Sequence, residues 1–319
     1  MKVFDVFNGD ADGICALQQI RLAEPVESTL VTGVKRDISL LKRVKANPGD
    51  QVTVLDISLD KNRDPLLALL ANGTNVRYFD HHFAGEIPAH GNFQSNIDTA
   101  ADTCTSLIVN HSLNGAHAAW AVVGAYGDNF DQSAEHIAES LDYSTEALAE
   151  LKQLGICINY NGYGATVDDL HFPPDQLYLA VKPYADPMVF IKTSEAFKKL
   201  SEGYAQDMAS ASALKPELET EAQAVYVLPA KPWARRVSGV FANDLAQASP
   251  DRAHAMLTRL EGGGFVVSVR APFSNKSGAD DLCRQFETGG GRKAAAGINL
   301  LPDDQFDLFV EKFKAAYPG

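Results

Sequence analysis

The sequence predicts an α/β protein: a doubly wound parallel sheet, then a helical linker, then a smaller C-terminal α/β domain facing it across a cleft. Three observations predict this. Short apolar runs alternate with helical patterns through the first hundred residues, which is the grammar of a parallel sheet covered on both faces. Helical patterns then dominate up to a charged, Ala-rich stretch ending at Pro216, and a new strand-rich segment begins at Ala224. At 319 residues the chain accommodates two cores. The expected boundaries are 1–192 for the first domain, 193–220 for the linker and 221–319 for the second domain.

Each element has a local reason. Val3 to Phe7 reads as a buried strand, and Gly13 to Ala23 as a helix with Ile14, Leu17 and Ile20 on one face. Thr29 to Val34 is the second strand. Pro48-Gly49-Asp50 turns the chain into a third, Val52 to Ile57. Pro65 and Gly73 bracket a short helix over Leu66 to Ala71, and Val76 to Phe79 is the next strand. Helices follow over Thr103 to His111, Ala118 to Tyr126, Ser133 to Leu141 and Thr145 to Leu154. In the second domain the expected strands are Val225 to Leu228, Val237 to Phe241, Ala255 to Leu260 and Phe265 to Val269. Helices are expected over Asn243 to Ala248, Asp280 to Phe286 and Asp304 to Ala316.

Composition narrows the function. A net charge of −13 argues against a surface that grips long duplex DNA through many phosphates. The four cysteines, Cys15, Cys104, Cys157 and Cys283, lack metal or redox spacing and read as reduced core thiols. The N-terminus meets Asp5 too early for a signal sequence, and no apolar stretch is long enough to span a bilayer, so the expected compartment is the cytoplasm.

The chemistry sits at strand ends. Asp10-Ala11-Asp12-Gly13 follows the first strand, Asp56 closes the third, Asp80-His81-His82 ends the fourth, and Gly127-Asp128 ends an apolar helix. Ligands of open α/β sheets bind at the carboxyl ends of strands. Crowded carboxylates repel, so a positive group is expected among them, and oxygen with imidazole donors but no thiolate suits a pair of divalent transition metals. Each fragment alone has a plainer reading, as a helix cap or a turn; the combination carries the inference. His81 and His82, as neighbours in an extended segment, are expected to point opposite ways, with one of them a ligand. Asp168, Asp169 and His171, followed by Pro173-Pro174, read as a surface turn. In the second domain, Gly289-Gly290-Gly291 reads as a loop whose amides approach a phosphate, flanked by Arg270 and Arg292, whose guanidinia suit bidentate phosphate contact. A surface pair of Arg270 with Asp280 or Asp281 is the plainer alternative.

The order Asp-x-Asp-Gly, strand-terminal Asp, Asp-His-His, then Gly-Asp after an apolar helix resembles the DHH phosphoesterase superfamily. That superfamily includes RecJ-type exonucleases, oligoribonucleases, phosphoadenosine-phosphate phosphatases and cyclic-dinucleotide phosphodiesterases. The Ser268-Val269-Arg270-Ala271 and Gly289-Gly290-Gly291-Arg292 segments resemble the glycine-rich substrate-binding domain that commonly follows. The resemblance implies that Asp10 and Asp56 hold one ion and that Asp12, Asp56, His81 and Asp128 hold the other, Mn²⁺ ahead of Mg²⁺. It implies that His82 contacts substrate or the attacking water and that Asp80 supports the imidazoles. Two departures stand out: Asn8 and Gly9 precede Asp10 where some members carry a His, so Asn8 or water completes the first ion, and the glycine motif ends in Arg292 rather than His. The implied activity is two-metal phosphodiester hydrolysis by in-line attack of metal-bound hydroxide on short oligonucleotides (nanoRNA or short single-stranded DNA) or small nucleotides. The alternatives are a phosphoadenosine-phosphate phosphatase, a cyclic-dinucleotide hydrolase, and a nucleotide-binding protein without catalysis. A monomer or homodimer, with no membrane partner, is expected.

Overall fold

The computed structural model describes residues 1–318, which divide into two compact units, Met1–Gly203 and Tyr204–Gly319. The first opens with β1 (Val3–Phe7), α1 (Ala11–Ala23), β2 (Thr29–Val31), β3 (Gln51–Leu55), α2 (Arg63–Ala71), β4 (Asn75–Asp80) and β5 (Phe93–Ile97). A helical segment follows: α3 (Thr105–Ser112), α4 (Ala118–Gly127), α5 (Asp131–Ala138), α6 (Thr145–Gly162), α7 (Pro174–Val181), α8 (Pro187–Thr193) and α9 (Glu195–Ser212), the last running across the boundary.

All five strands are parallel, in the order β2-β1-β3-β4-β5. Connections leave β1 in opposite directions, so the switch point lies between β1 and β3, where a doubly wound sheet opens a crevice at its carboxyl edge. Alternation assigns the faces. Phe4, Val6, Val52, Val54, Val76 and Tyr78 pack with Leu66, Leu69 and Leu70 of α2 in one buried cluster. On the other face α1 is buried among helices, and its Arg21 pairs with the fully buried Asp5 of β1 at 2.6 Å. α4 is apolar all round because it is the central helix of the helical layer: every residue but Ala119 is buried.

Close helix crossings fix that layer. A Cβ on Gly155 of α6 would collide with backbone atoms of Val123 and Gly127 in α4, and a Cβ on Gly127 would collide with Ala11 of α1. Small residues therefore set the distance between the helix that ends at Asp128 and the one that starts beside Asp10.

The second unit contains β6 (Leu218–Glu219), β7 (Gln223–Leu228), α10 (Pro232–Ala248), β8 (Ala253–Arg259), β9 (Phe265–Arg270), α11 (Ala279–Cys283), β10 (Gly289–Arg292), β11 (Ala295–Leu301) and α12 (Phe306–Ala316). Its sheet order is β10-β11-β9-β8-β7-β6, with β7 and β8 parallel and the other pairs antiparallel.

Two sequence expectations need correction, and one strand was not anticipated. Val237 to Phe241 is not a strand but lies inside α10, where Ala234, Val237, Phe241 and Ala242 make one buried helical face behind Pro232. Gly289-Gly290-Gly291 is not a loop but most of strand β10, paired with Ile298, Gly297 and Ala296. The Asp168–His171 stretch is a short turn, as expected, and Pro174 then takes the first helical position of α7. β5 went unread because Phe93-Gln94-Ser95-Asn96-Ile97 is a polar edge strand.

Gly155→Ala is expected to lower stability by about 1–3 kcal/mol through overpacking against rigid backbone. Urea denaturation checks this, and a midpoint equal to that of the unaltered protein contradicts the account of the α4–α6 crossing.

Candidate metal centre

Asp10 and Asp12 come from the start of α1. Asp10 caps the helix, its Oδ1 accepting from the Gly13 amide at 3.1 Å, and its Oδ2 lies 2.5 Å from Lys35 Nζ. The cap and the site are therefore two uses of one carboxylate. Gly13 is required here because a Cβ would strike the backbone of Asn8. Asp12 is fully buried, and its two oxygens accept the Thr105 and Ser106 amides at the start of α3, both at 2.7 Å. A helix N-terminus thus carries the Asp12 charge.

Asp56 leaves β3 with φ +59°, a left-handed conformation uncommon for a residue with a side chain. Its carboxylate is buried and accepts from Thr105 Oγ1 at 3.2 Å. Strain of this kind costs on the order of 1–3 kcal/mol and concentrates at functional positions. Burial pushes the Asp56 carboxyl well above the ordinary range, reinforced by Asp10, Asp12, Asp128 and Asp80. Burial also raises Asp10, but Lys35 outweighs it, and Asp10 is held below the usual carboxylate value, helped by a hydrogen bond from Asp56. Asp128, the C-terminal cap of α4, is raised by burial despite its 3.1 Å contact to Lys35.

The two histidines do not diverge. β4 ends at Asp80, so strand alternation no longer governs them, and their rings lie 4.4 Å apart. His81 Nδ1 is 3.2 Å from the Thr103 carbonyl. A carbonyl only accepts, so Nδ1 carries the proton and Nε2 is the nitrogen turned to the carboxylates, 3.5 Å from Asp56, 3.6 Å from Asp128 and 3.9 Å from Asp12. His82 Nδ1 donates to the buried Asp80 at 2.8 Å. Burial lowers the His82 imidazole, but Asp80 prevails and raises it above the ordinary histidine value.

Among the described residues, two overlapping groups could hold an ion: Asp12, His81 and Asp128, and Asp56, His81 and His82. The donor set fits a divalent cation. A ring nitrogen facing three carboxylates is held there by something positive between them, a proton or a bound cation. A fixed outer partner on the other ring nitrogen is how ligating histidines are oriented. Asp80 has one oxygen on His82 Nδ1 at 2.8 Å.

Lys35 was not anticipated. Its ammonium contacts Asp10, Asp128 and Asn159 Oδ1, the last at 3.1 Å, and its own burial penalty is outweighed so that its pKa rises well above the ordinary value. A signal existed: Lys35 lies just past β2, at the same carboxyl edge as the acids. Asn159 lies inside α6, where no local pattern marks it. Asn8 is buried, and its Nδ2 donates to the Lys35 carbonyl at 3.4 Å. The Asp168-Asp169-His171 segment is structural: Asp169 closes a capping box with Thr166, and His171 bonds Tyr160 at 2.7 Å.

In the second unit, Arg270, Ala295 and Arg292 are in register across β9, β11 and β10, so both guanidinia share one face with a small residue between them. Arg292 is exposed. Arg270 Nε donates to Asn243 Oδ1 at 2.8 Å. Two of the glycines have packing reasons: a Cβ on Gly289 would strike the Cys283 carbonyl, and Gly291 has φ +142° with Ala296 against it. Gly290 has open space beside it.

Fold and site define a class: an α/β protein with a carboxylate–imidazole centre at the switch point of a parallel sheet. No family model matches the sequence, and no curated protein matches it. Solved structures do. An exonuclease RecJ bound to manganese superposes with a TM-score of 0.64 at 17% identity, over 98% of this chain and 89% of that one. RecJ from Thermus thermophilus in complex with Mn²⁺ gives 0.63 at 18%, over 98% of this chain, which spans about half (51%) of that longer protein. The pGpG-specific phosphodiesterase PggH from Vibrio cholerae gives 0.56 at 12%, over 98% of this chain and 99% of that one. At these identities the likeness is one of fold, and it is the fold that the DHH resemblance implies.

Lys35→Met is expected to destabilise the metal-free protein by up to about 3 kcal/mol, because it leaves buried carboxylates without their cation. Thermal unfolding in chelator and in Mn²⁺ tests this. Added Mn²⁺ should stabilise the variant more than the unaltered protein, and equal shifts would contradict the role given to Lys35.

Proposed function

We propose that the chain is a divalent-metal-dependent phosphodiesterase acting on short oligonucleotides or small nucleotides, with Mn²⁺ the preferred ion and Mg²⁺ the competitor. The observation that carries this reading is His81, whose Nε2 faces Asp12, Asp56 and Asp128 while its Nδ1 is committed to a carbonyl. Asp12, Asp56, His81 and Asp128 would hold one ion, and Asp10 with Asp56 a second. Divalent ions in such a centre supply acidified water and a clamp on phosphoryl oxygens.

The chain's own residues do the rest. Thr105 and Ser106 amides fix Asp12 in place. Lys35 keeps Asp10 ionised. His82 is held by Asp80 through Nδ1, leaves Nε2 for a substrate phosphate, and with its raised pKa keeps a proton there to higher pH than an ordinary histidine. Arg270 and Arg292, with Gly290 beside them, suit a substrate phosphate, since two guanidinia on one face offer paired charge-assisted hydrogen bonds. We read residues 1–192 as the catalytic domain and 221–319 as the substrate-binding domain, joined through 193–220. The −13 charge argues for a short ligand over a long duplex. The fold shared with a pGpG-specific phosphodiesterase supports a substrate of dinucleotide size. Four free, buried cysteines suit the cytoplasm.

The test is Mn²⁺-dependent hydrolysis of end-labelled RNA and DNA from dinucleotides to about twenty-mers, with a bisphosphorylated adenosine and a cyclic dinucleotide alongside. Cleavage fastest on the shortest oligomers supports the reading; no hydrolysis of any of them overturns it. Losing an outer partner of a metal ligand costs roughly 10–100-fold, so Asp56→Ala should cost more than about 100-fold in turnover. Arg292→Ala should instead raise KM for dinucleotides about tenfold or more, the scale of a lost charged hydrogen bond, with kcat little changed.

A further inference from the structure

Phe83 is 74% exposed. Among the described residues the next most exposed aromatic side chain is Phe273, at 45%, in the second unit. A phenyl ring left in water at this level is unusual, and its place in the chain is specific: it directly follows His82, whose Nδ1 lies 3.8 Å from Asp56.

The backbone beneath the ring is pinned on both sides. The Phe83 carbonyl accepts from Ser58 Oγ at 2.9 Å, two residues beyond Asp56. Arg63, at the start of α2, donates to the carbonyls of Ala84, at 2.7 Å, and Glu86. Ala84 is buried in the apolar cluster under the sheet, and Gly85 turns the chain at φ +62°, where a Cβ would press on the Arg63 guanidinium. The ring is therefore an apolar surface on a fixed support. It is tied to the same two segments that deliver Asp56 and the histidine pair.

An exposed ring on rigid backbone next to a phosphate-handling centre has the properties of a nucleobase platform. Every base has an apolar face, and stacking needs no hydrogen-bond code. We propose that Phe83 stacks on a base of the substrate, on a nucleotide adjoining the phosphate held at the carboxylate centre. The site thereby selects nucleoside phosphodiesters over phosphodiesters that lack a base. The proposal rests on the phosphodiesterase reading above and adds the determinant that recognises the base.

Two measurements on the full chain test it. The first is the ratio of kcat/KM for a dinucleotide to that for its counterpart with one base removed, in the unaltered protein, Phe83→Ala and Phe83→Trp. The ratio should collapse by roughly 5- to 150-fold in Phe83→Ala and be retained in Phe83→Trp. A ratio unchanged in Phe83→Ala overturns the proposal, including the case where both substrates slow equally. The second is the emission of a dinucleotide carrying 2-aminopurine, titrated with protein in Mg²⁺. Quenching by the unaltered protein that is lost in Phe83→Ala supports stacking whether or not turnover occurs. Binding with no difference in quenching between the two, or no binding at all, overturns it. An unaltered protein that hydrolyses no dinucleotide but shows Phe83-dependent quenching would sink the hydrolase reading and leave the platform standing.

Discussion

Repulsion among buried carboxylates is the constraint around which the first unit is organised. At an effective dielectric of about 20, two unit charges 4 Å apart cost about 4 kcal/mol, and Asp10, Asp12, Asp56 and Asp128 converge in a pocket that excludes most water. The chain answers differently for each. Asp12 accepts hydrogen bonds from the amides of α3, and Asp10 pairs with Lys35 and the Gly13 amide. Asp128 has Lys35 on one oxygen and His81 near the other. Among the described residues no Lys or Arg pairs with Asp56, and its carboxyl is driven toward the neutral form. The residue with the least compensation is also the one held at positive φ. An ion bound here relieves the Asp56 penalty directly, which is why the centre reads as built for one.

That arrangement depends on packing away from the charges. Asp10 and Asp128 sit at the ends of α1 and α4, and those helices approach closely because Gly127 and Gly155 remove the side chains that would separate them. Asp56 and His81 sit at the ends of adjacent parallel strands, in register from Gln51 opposite Asn75 to Leu55 opposite Phe79. A one-residue slip of β4 against β3 would carry the histidines away from Asp56 and turn the α2-facing side chains outward. Core register and site geometry are the same property seen at two ends of a strand.

Much of this was legible in the sequence, for a physical reason. Parallel strands of an α/β sheet are short apolar runs, so the residue closing each run falls at the ligand edge, and Asp10, Asp56 and Asp80 could be placed there without coordinates. Lys35 directly follows the expected strand Thr29 to Val34, yet it escaped because a single Lys carries no ligand signal until its contacts to Asp10 and Asp128 are seen. Asn159 escaped because the expected helix ended at Leu154, whereas α6 runs on to Gly162 and carries Asn159 in its last turn. The histidine pair was misjudged because strand alternation was extended two residues past the strand's end at Asp80. In the second unit, Val237 to Phe241 looked like a strand over five residues and resolves as helix only when Ala234 and Ala242 are counted with it. The glycine run was legible as special, but packing against Cys283 and Ala296 explains two of its three members.

The central claim is that Asp12, Asp56, His81 and Asp128 enclose a divalent cation. Crystals grown with Mn²⁺ and measured on both sides of the manganese absorption edge test it most directly. The account predicts an anomalous peak within ligating distance of His81 Nε2 and of oxygens from Asp12, Asp56 and Asp128, with Asp10 and Lys35 beside it. A map with no peak there, or with manganese only on surface carboxylates, would contradict it.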